Sequence, residues 1–178
     1  MSKTIKRELS VADVYNITMF YMQELELKKN NKKSILDKIS NLLEWKLKRN
    51  VDILKPVAAS FEEHKNALRD KINKEWFNDE KSEECEIAKK DSDGNLVLDD
   101  KGNTVSEKSR RIKDEFVDDF VKASNEANQK LNEILSDTSE YEINVIDVES
   151  EIESFINELD KEDLYKADIL MFMNENKN

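Results

Sequence analysis

The hydrophobic residues between Ser34 and Phe77 recur every three or four positions. A period close to 3.6 residues predicts one long amphipathic helix, or two collinear ones, over residues 34–77. At 1.5 Å per residue, such a rod is about 65 Å long and needs a second helix along it. Pro56 lies within this segment, and it predicts a kink or a short break.

A second helical pattern over residues 106–135 supplies the expected partner. The two patterns predict a long antiparallel helical hairpin. Its apolar stripe contains Phe61, Leu68, Ile72, Phe116, Phe120 and Leu131.

The segments before the first long helix are expected to be a flexible arm and a packed N-terminal helix. Residues 1–9 are polar, and residues 10–28 show an apolar helical face. Ser10 is a good N-cap, and Asp13 stands where a capping box has Glu or Gln. The short apolar helix is predicted to pack on the long rod, as the N-terminal helix of a mainly α fold.

Residues 78–105 contain both glycines, each in an Asp-rich turn, and they predict a small β-hairpin or loop. Its expected arms lie near Ile87 or residues 96–98 and near residues 104–105. A possible strand at 141–148 would join this hairpin, and short C-terminal helices are expected over 150–174. The whole chain, residues 1–178, is predicted to be a single mainly α domain.

Charge is distributed unevenly along the chain. Charged residues make up 39% of the sequence, which has two Gly and one Pro, a profile typical of long solvated helices. The net charge is −11; residues 1–76 carry 16 basic and 11 acidic side chains, whereas residues 137–178 carry 3 and 13. Solvated helix faces explain such a split, and so does attraction within one chain or between copies.

The candidate interaction residues come from these two charged regions. They are Lys28, Lys29, Lys32 and Lys33 in a predicted loop, and Glu149, Glu151 and Glu153 in the acidic region. The lysines lack interleaved aromatic residues and arginines, and the whole protein is acidic, so nucleic acid is not the expected partner. An acidic protein surface is at least as good a candidate.

Catalytic and metal-binding patterns are not found in the sequence. Cys85 lies among glutamates that disfavour its thiolate, and His64 is the only histidine, so neither a nucleophile nor a zinc site is expected. An EF-hand alignment on Gly94 puts Lys89 at the first ligand position, which excludes it. A weak cation site at Asp91, Asp93 and Asp99 is left as an alternative. We therefore expect no enzyme activity, no cofactor and no catalytic or metal-binding residues.

Targeting patterns are also not found. The first residues are polar and do not look like a secretory signal, and no stretch approaches the ~20 apolar residues of a membrane span. A single cysteine excludes an internal disulfide. The expected location is a virion or the host cytoplasm.

The order of these parts resembles a known group of proteins. Leu25-Glu26-Leu27-Lys28, a basic loop, a long helix, the stretch Ile87-Ala88-Lys89-Lys90-Asp91-Ser92-Asp93-Gly94-Asn95 and a closing Asp163-Leu164 helix resemble an uncharacterised family of small helical proteins encoded by tailed bacteriophages. The resemblance implies a phage origin and a non-enzymatic role, and the family offers no catalytic residues to transfer.

The expected function is protein interaction or assembly in a tailed phage, as a structural subunit of the tail, the neck or a capsid-associated layer. The expected partners are other protein subunits, in a homo-oligomer or a larger phage assembly. One alternative is a small acidic phage inhibitor that binds a host enzyme or defence complex in place of nucleic acid. A second alternative is an assembly chaperone.

Overall fold

The structure, a computed structural model, describes residues 4–146, and these form four strands and three α-helices. Short 3-10 turns precede α2 and α3, at Ile35–Asp37 and Asp114–Phe116. In chain order the main elements are β1 Thr4–Ser10, α1 Val11–Lys29, α2 Asn41–Trp76, β2 Ser82–Ala88, β3 Ser106–Ile112, α3 Val117–Ser136 and β4 Thr138–Asn144.

The described residues divide into two compact units. The first, which we name the core unit, consists of residues 4–63 and 132–146. The second, the hairpin unit, consists of residues 64–131. The helices α2 and α3 each contribute residues to both units.

The core unit is closed by an antiparallel pair formed by β1 and β4, in which Thr4 is opposite Asn144 and Ser10 is opposite Thr138. Alternate residues of β1 face the core, with Leu9 buried and Lys6 exposed. The register places Ile5 opposite the fully buried Ile143. The pair therefore presents one apolar face to the helices.

The first helix begins at a capping box, as predicted from the sequence. Ser10 Oγ accepts from the Asp13 amide at 3.1 Å, and the Asp13 carboxylate accepts from the Ser10 amide at 3.0 Å. The buried Glu24 carboxylate binds the turn after the helix, because it accepts from the Ile35 amide at 2.8 Å and from Ser34 Oγ at 2.9 Å. These bonds fix both ends of α1.

The long helix α2 is continuous through Pro56. Pro56 has no backbone N–H, so the Asp52 carbonyl lacks its helical donor. Because Asp52 and Pro56 are both exposed, water can donate to that carbonyl instead. In the core unit the helix buries one stripe completely, including Leu43, Leu47 and Leu54. On the same side, Asn50 binds β4 with its buried side chain: Oδ1 accepts from the Asn144 amide at 2.7 Å, and Nδ2 donates to the Asn144 carbonyl at 2.9 Å.

The predicted mainly α fold is wrong. Residues 4–146 form a mixed α and β arrangement with two separate antiparallel two-stranded sheets, and the long helical hairpin is not evident. The helical period identified apolar stripes, but it did not detect strands whose stability comes from pairing with distant or polar partners.

Several segments differ from their expected state. Residues 4–9 of the predicted flexible arm belong to β1, and residues 34–40 precede α2 rather than belong to it. Residues 106–112, predicted as helix, form β3. The possible strand at 141–148 appears as β4, but it pairs with β1 and not with the hairpin. The C-terminal helices expected over 150–174 lie outside the described residues.

Candidate interaction surface

The hairpin unit contains a two-stranded ribbon, β2 with β3, whose cross-strand partners carry opposite charges. Glu83 is opposite Arg111, and its carboxylate accepts from Arg111 Nε at 2.6 Å. Glu84 is opposite Arg110, and two positions further along the ribbon Glu86 is opposite Lys108. Opposite charges at facing positions stabilise an antiparallel pair, and this explains a strand pair with few apolar residues.

The base of the ribbon is fixed by Arg110. Its Nε donates to the buried Ser82 Oγ at 2.9 Å, and Nη2 donates to the Asp79 carboxylate at 2.7 Å. Next to it, Lys81 Nζ lies 4.2 Å from the centre of the buried Trp76 ring. Trp76 also meets Phe120 edge to face, with ring centres 5.7 Å apart. The ribbon is thus attached to the end of α2 by charged and aromatic contacts.

Beyond the ribbon, residues 89–105 form what we name the hairpin tip. Three backbone hydrogen bonds close it into a ring: Val97 N donates to Lys89 O, Val105 N to Val97 O, and Lys89 N to Val105 O, at 2.9, 2.9 and 2.8 Å. These three residues are spaced eight apart in the sequence. Isolated strand pairings, Lys90 with Leu96 and Leu98 with Thr104, flank the ring.

The two turns of the hairpin tip have the same construction. Asp91 Oδ1 accepts from the amides of Asp93 and Asn95, both at 2.9 Å. Eight residues later, Asp99 Oδ1 accepts from the amides of Lys101 and Asn103, at 2.9 and 2.8 Å. Backbone amides that donate to a carboxylate stabilise its charged form.

The pKa of Asp91 is therefore below its ordinary value, chiefly because of the bond from the Asn95 amide. The pKa of Asp99 is lowered in the same way, chiefly by the Asn103 amide. Gly94 and Gly102 complete the two turns with φ of +85° and +81°, values that L side chains rarely adopt. Each turn is thus defined by its own sequence.

The hairpin tip holds apolar side chains in solvent. Leu96 is 51% exposed and Leu98 is 56% exposed, and Ile87 at the end of β2 is also exposed. Hydrogen bonds define the backbone of both turns beside these side chains. A partner that binds the side chains therefore loses little free energy in ordering the loop. An apolar group on a pre-organised support is typical of the central contact in a protein interface. The charge pattern of the sequence did not predict these side chains as interaction residues.

The predicted basic loop is only partly available for interaction. Lys28 is already paired within the core unit, since its Nζ lies 3.0 Å from the Glu44 carboxylate and donates to the Leu36 carbonyl at 3.3 Å. Lys29, Lys32 and Lys33 are exposed. The predicted acidic interaction residues Glu149, Glu151 and Glu153 lie outside the described residues.

The predicted core stripe spans both units and differs in burial. Phe61 is buried and packs edge to face against Tyr15, with ring centres 5.0 Å apart. The other five residues are half-buried: Leu68, Ile72, Phe116, Phe120 and Leu131.

The side chains that were candidates for metal binding or nucleophilic chemistry do not form a cluster in residues 4–146. Within residues 4–146 no three His, Cys, Asp or Glu side chains are arranged to hold a metal ion, so Asp91, Asp93 and Asp99 do not form the alternative cation site. Cys85 is half-buried in β2. His64 is exposed.

The comparisons with known proteins return no match: no protein-family model, curated protein or solved structure is significantly similar to the chain. Over residues 4–146, none of the helices has the length and apolar character that crossing a membrane requires.

Proposed function

We propose that this chain is a non-enzymatic protein-interaction and assembly component of a tailed bacteriophage, a structural subunit of the tail, the neck or a capsid-associated layer. The phage assignment is supported by the sequence resemblance. The assembly role is supported chiefly by the hairpin tip, where Leu96 and Leu98 are more than half exposed. The proposed occupant of this surface is an apolar patch on a neighbouring protein subunit of the particle.

The hydrogen bonds of the hairpin tip support a role in binding. The ring of backbone bonds at Lys89, Val97 and Val105 and the two Asp-centred turns stabilise residues that have no buried core of their own. Binding residues are often found on loops that a defined backbone holds in position. Burial of two leucines in a partner contributes roughly 1.5–3 kcal/mol each when it is complete.

The test is incorporation into particles. Phage that carry the gene for the wild-type chain are purified, and the copy number of the chain per particle is measured by quantitative mass spectrometry. We expect a fixed copy number, and we expect the double variant Leu96→Ser/Leu98→Ser to reduce it at least ten-fold. The matched control, Ser92→Ala/Lys101→Ser, changes two exposed residues of the same hairpin tip and is expected to be incorporated normally.

Two outcomes contradict the proposal. A chain that is abundant in infected cells but absent from particles excludes a virion subunit and favours the inhibitor or the assembly chaperone. Incorporation that is equal in both double variants excludes the hairpin tip as the contact.

A further inference from the structure

A second exposed apolar surface lies on α2 in the core unit, and it is distinct from the hairpin tip. Leu42 is 56% exposed, Trp45 is 47% exposed, and Ile53 is exposed as well. Arg49 lies between them, with its guanidinium 5.5 Å from the centre of the Trp45 ring. The spacing of three, four and four places these residues on one helix face, which we name the outer stripe.

The outer stripe does not belong to the core face of α2. The buried residues Leu43, Leu47 and Leu54 follow their own helical face, displaced by one position from Leu42 and Ile53. One helix therefore carries two apolar faces, of which the described residues cover one. Exposed apolar side chains grouped on one face of a charged helix mark a contact surface.

The charge around the outer stripe selects an acidic occupant. Residues 41–56 carry four basic and two acidic side chains. One of the two acids, Glu44, is already paired with Lys28 at 3.0 Å. The same face of a second copy would carry the same positive charge, so symmetric pairing of two outer stripes is opposed by repulsion.

The sequence that follows the described residues has the complementary pattern. Residues 147–160 contain six acidic and no basic side chains. Their apolar residues Ile152, Phe155, Ile156 and Leu159 are spaced by three, one and three, which is typical of one face of a helix. An acidic amphipathic segment of this kind matches a basic apolar stripe in both charge and hydrophobicity.

The chain leaves the described structure within reach of the outer stripe. The Asn144 amide donates to Asn50 Oδ1 on α2 at 2.7 Å, and Ile146 is fully buried. The exit point is therefore fixed beside the first third of that helix, at a position between Trp45 and Ile53 in the sequence. Five extended residues span roughly 17 Å. A helix with its side chains is about 10–12 Å across. Residues 147–151 are therefore long enough to pass from the core side of α2 to its outer stripe.

We infer that the outer stripe of α2 binds the acidic segment 147–160 of the same chain. The segment covers Leu42, Trp45 and Ile53 with its apolar face, and its carboxylates lie near Lys46, Lys48 and Arg49. This inference is independent of the proposed function, because it concerns a different surface and a contact within one chain.

The first test uses zero-length carbodiimide cross-linking of the full wild-type chain, as an equal mixture of unlabelled and 15N-labelled protein at low ionic strength. We expect cross-links that join Lys46 or Lys48 to Glu149, Glu151 or Glu153, in peptide pairs that carry a single isotope. Pairs with mixed isotopes at the statistical fraction identify a second copy as the occupant and overturn the inference. Absence of these cross-links overturns it too.

A pair of double variants tests the apolar contribution to this contact. Leu42→Ser/Ile53→Ser is expected to lower the yield of these cross-links at least five-fold. The matched control is Met19→Ser/Met22→Ser, an exposed apolar pair on α1, which is expected to leave the yield unchanged. An equal yield in both double variants contradicts docking on the outer stripe.

A spectroscopic readout follows the same contact without cross-linking. The full chain labelled with 5-fluorotryptophan gives one fluorine resonance for Trp45 and one for Trp76, assigned with Trp45→Phe. We expect Ile152→Ser/Phe155→Ser/Ile156→Ser to shift the Trp45 resonance toward its solvent-exposed position and leave that of the buried Trp76 unchanged. An unshifted Trp45 resonance contradicts the inference; if both resonances move, the variant is misfolded and the wild-type cross-links decide.

Discussion

Two stretches of α2, residues 43–54 and residues 68–72, carry the same apolar periodicity but differ in burial. In the core unit Leu43, Leu47 and Leu54 are at most 2% exposed. In the hairpin unit Leu68 and Ile72 follow the same stripe and are only half-buried. A regular pattern therefore shows which face of a helix turns inward, whereas the number of elements packed on that face determines how completely water is excluded.

The units also differ in how they use polar groups. The core unit buries the Asn50 side chain and the Glu24 carboxylate, and each has hydrogen-bond partners. The hairpin unit places most of its polar contacts in solvent, as in the turns at Asp91 and Asp99. Buried polar contacts cost more to break than exposed ones, because the remaining partner loses its hydrogen bond without gaining water.

The largest expected effect is in the buried stripe. Leu47→Ala is expected to lower the free energy of unfolding by about 2–5 kcal/mol, because it leaves a cavity at a fully buried site. Leu68→Ala removes the same atoms from a half-buried site and is expected to cost less than about 2 kcal/mol. Urea unfolding followed by circular dichroism measures both, and equal losses would show that the two units are packed alike.

The next largest effect is expected from the buried side-chain amide of Asn50. Asn50→Ala is expected to lower the free energy of unfolding by about 1–3 kcal/mol, since it leaves the Asn144 amide without its acceptor in the core. Hydrogen exchange should accelerate at the Asn144 amide. Asn95→Ala, at an exposed turn, serves as the control and should leave both the urea midpoint and Asn144 exchange unchanged.

A smaller and local effect is expected at the hairpin tip. Gly94→Ala meets no atom within 4 Å, so its cost is the backbone strain of a positive φ, about 1–2 kcal/mol. Exchange should accelerate at the amides of residues 91–97 but not in β1 or β4. Asn adopts a positive φ more readily than Ala does, so Gly94→Asn should accelerate exchange less than Gly94→Ala. Faster exchange throughout the chain would mean that the hairpin tip and the core unit unfold together.

The smallest effect is the acid response of the same turns. Folding lowers the pKa of Asp91 and of Asp99 from the ordinary value of 3.8. The stability that these carboxylates contribute to the folded turns is therefore complete above pH 3.8, and it is lost as the pH falls through the lower folded-state pKa. Below about pH 3.8 the amide shifts of Asn95 and Asn103 should move toward those of an open loop. NMR titration measures this, and Asp91→Asn/Asp99→Asn should remove the pH response; persistence of that response in the variant would assign it to other groups.

Local signals in the sequence were sufficient for some features. Ser10 and Asp13 stand three residues apart and interact directly, so the start of α1 could be read from the sequence. Gly94 in its Asp-rich turn likewise marked one bend of the hairpin tip. In both cases the residues that make the contact are close neighbours, and no distant partner decides the outcome.

Distant partners explain what the sequence did not show. Thr4 and Ile5 belong to a short segment whose strand state depends on pairing with β4. The local sequence alone therefore predicts a flexible arm. β3 is polar, and its strand state depends on charges across the ribbon from Arg110 and Arg111. For the hairpin tip a signal did exist: the Asp-to-Asn turn is repeated after eight residues, with Leu96 and Leu98 between the copies.

The pairing of β1 with β4 has a consequence for the newly made chain. Ser10 meets Thr138, and Thr4 meets Asn144, so the first strand leaves the ribosome long before its partner exists. At 5–20 residues per second, the interval is roughly 7–30 s. During that time the edge of Thr4–Ser10 and the apolar face of α1 are open to wrong contacts. Slower translation lengthens this interval, so we expect it to lower the yield of folded protein, whereas a chaperone that holds the nascent chain should raise that yield.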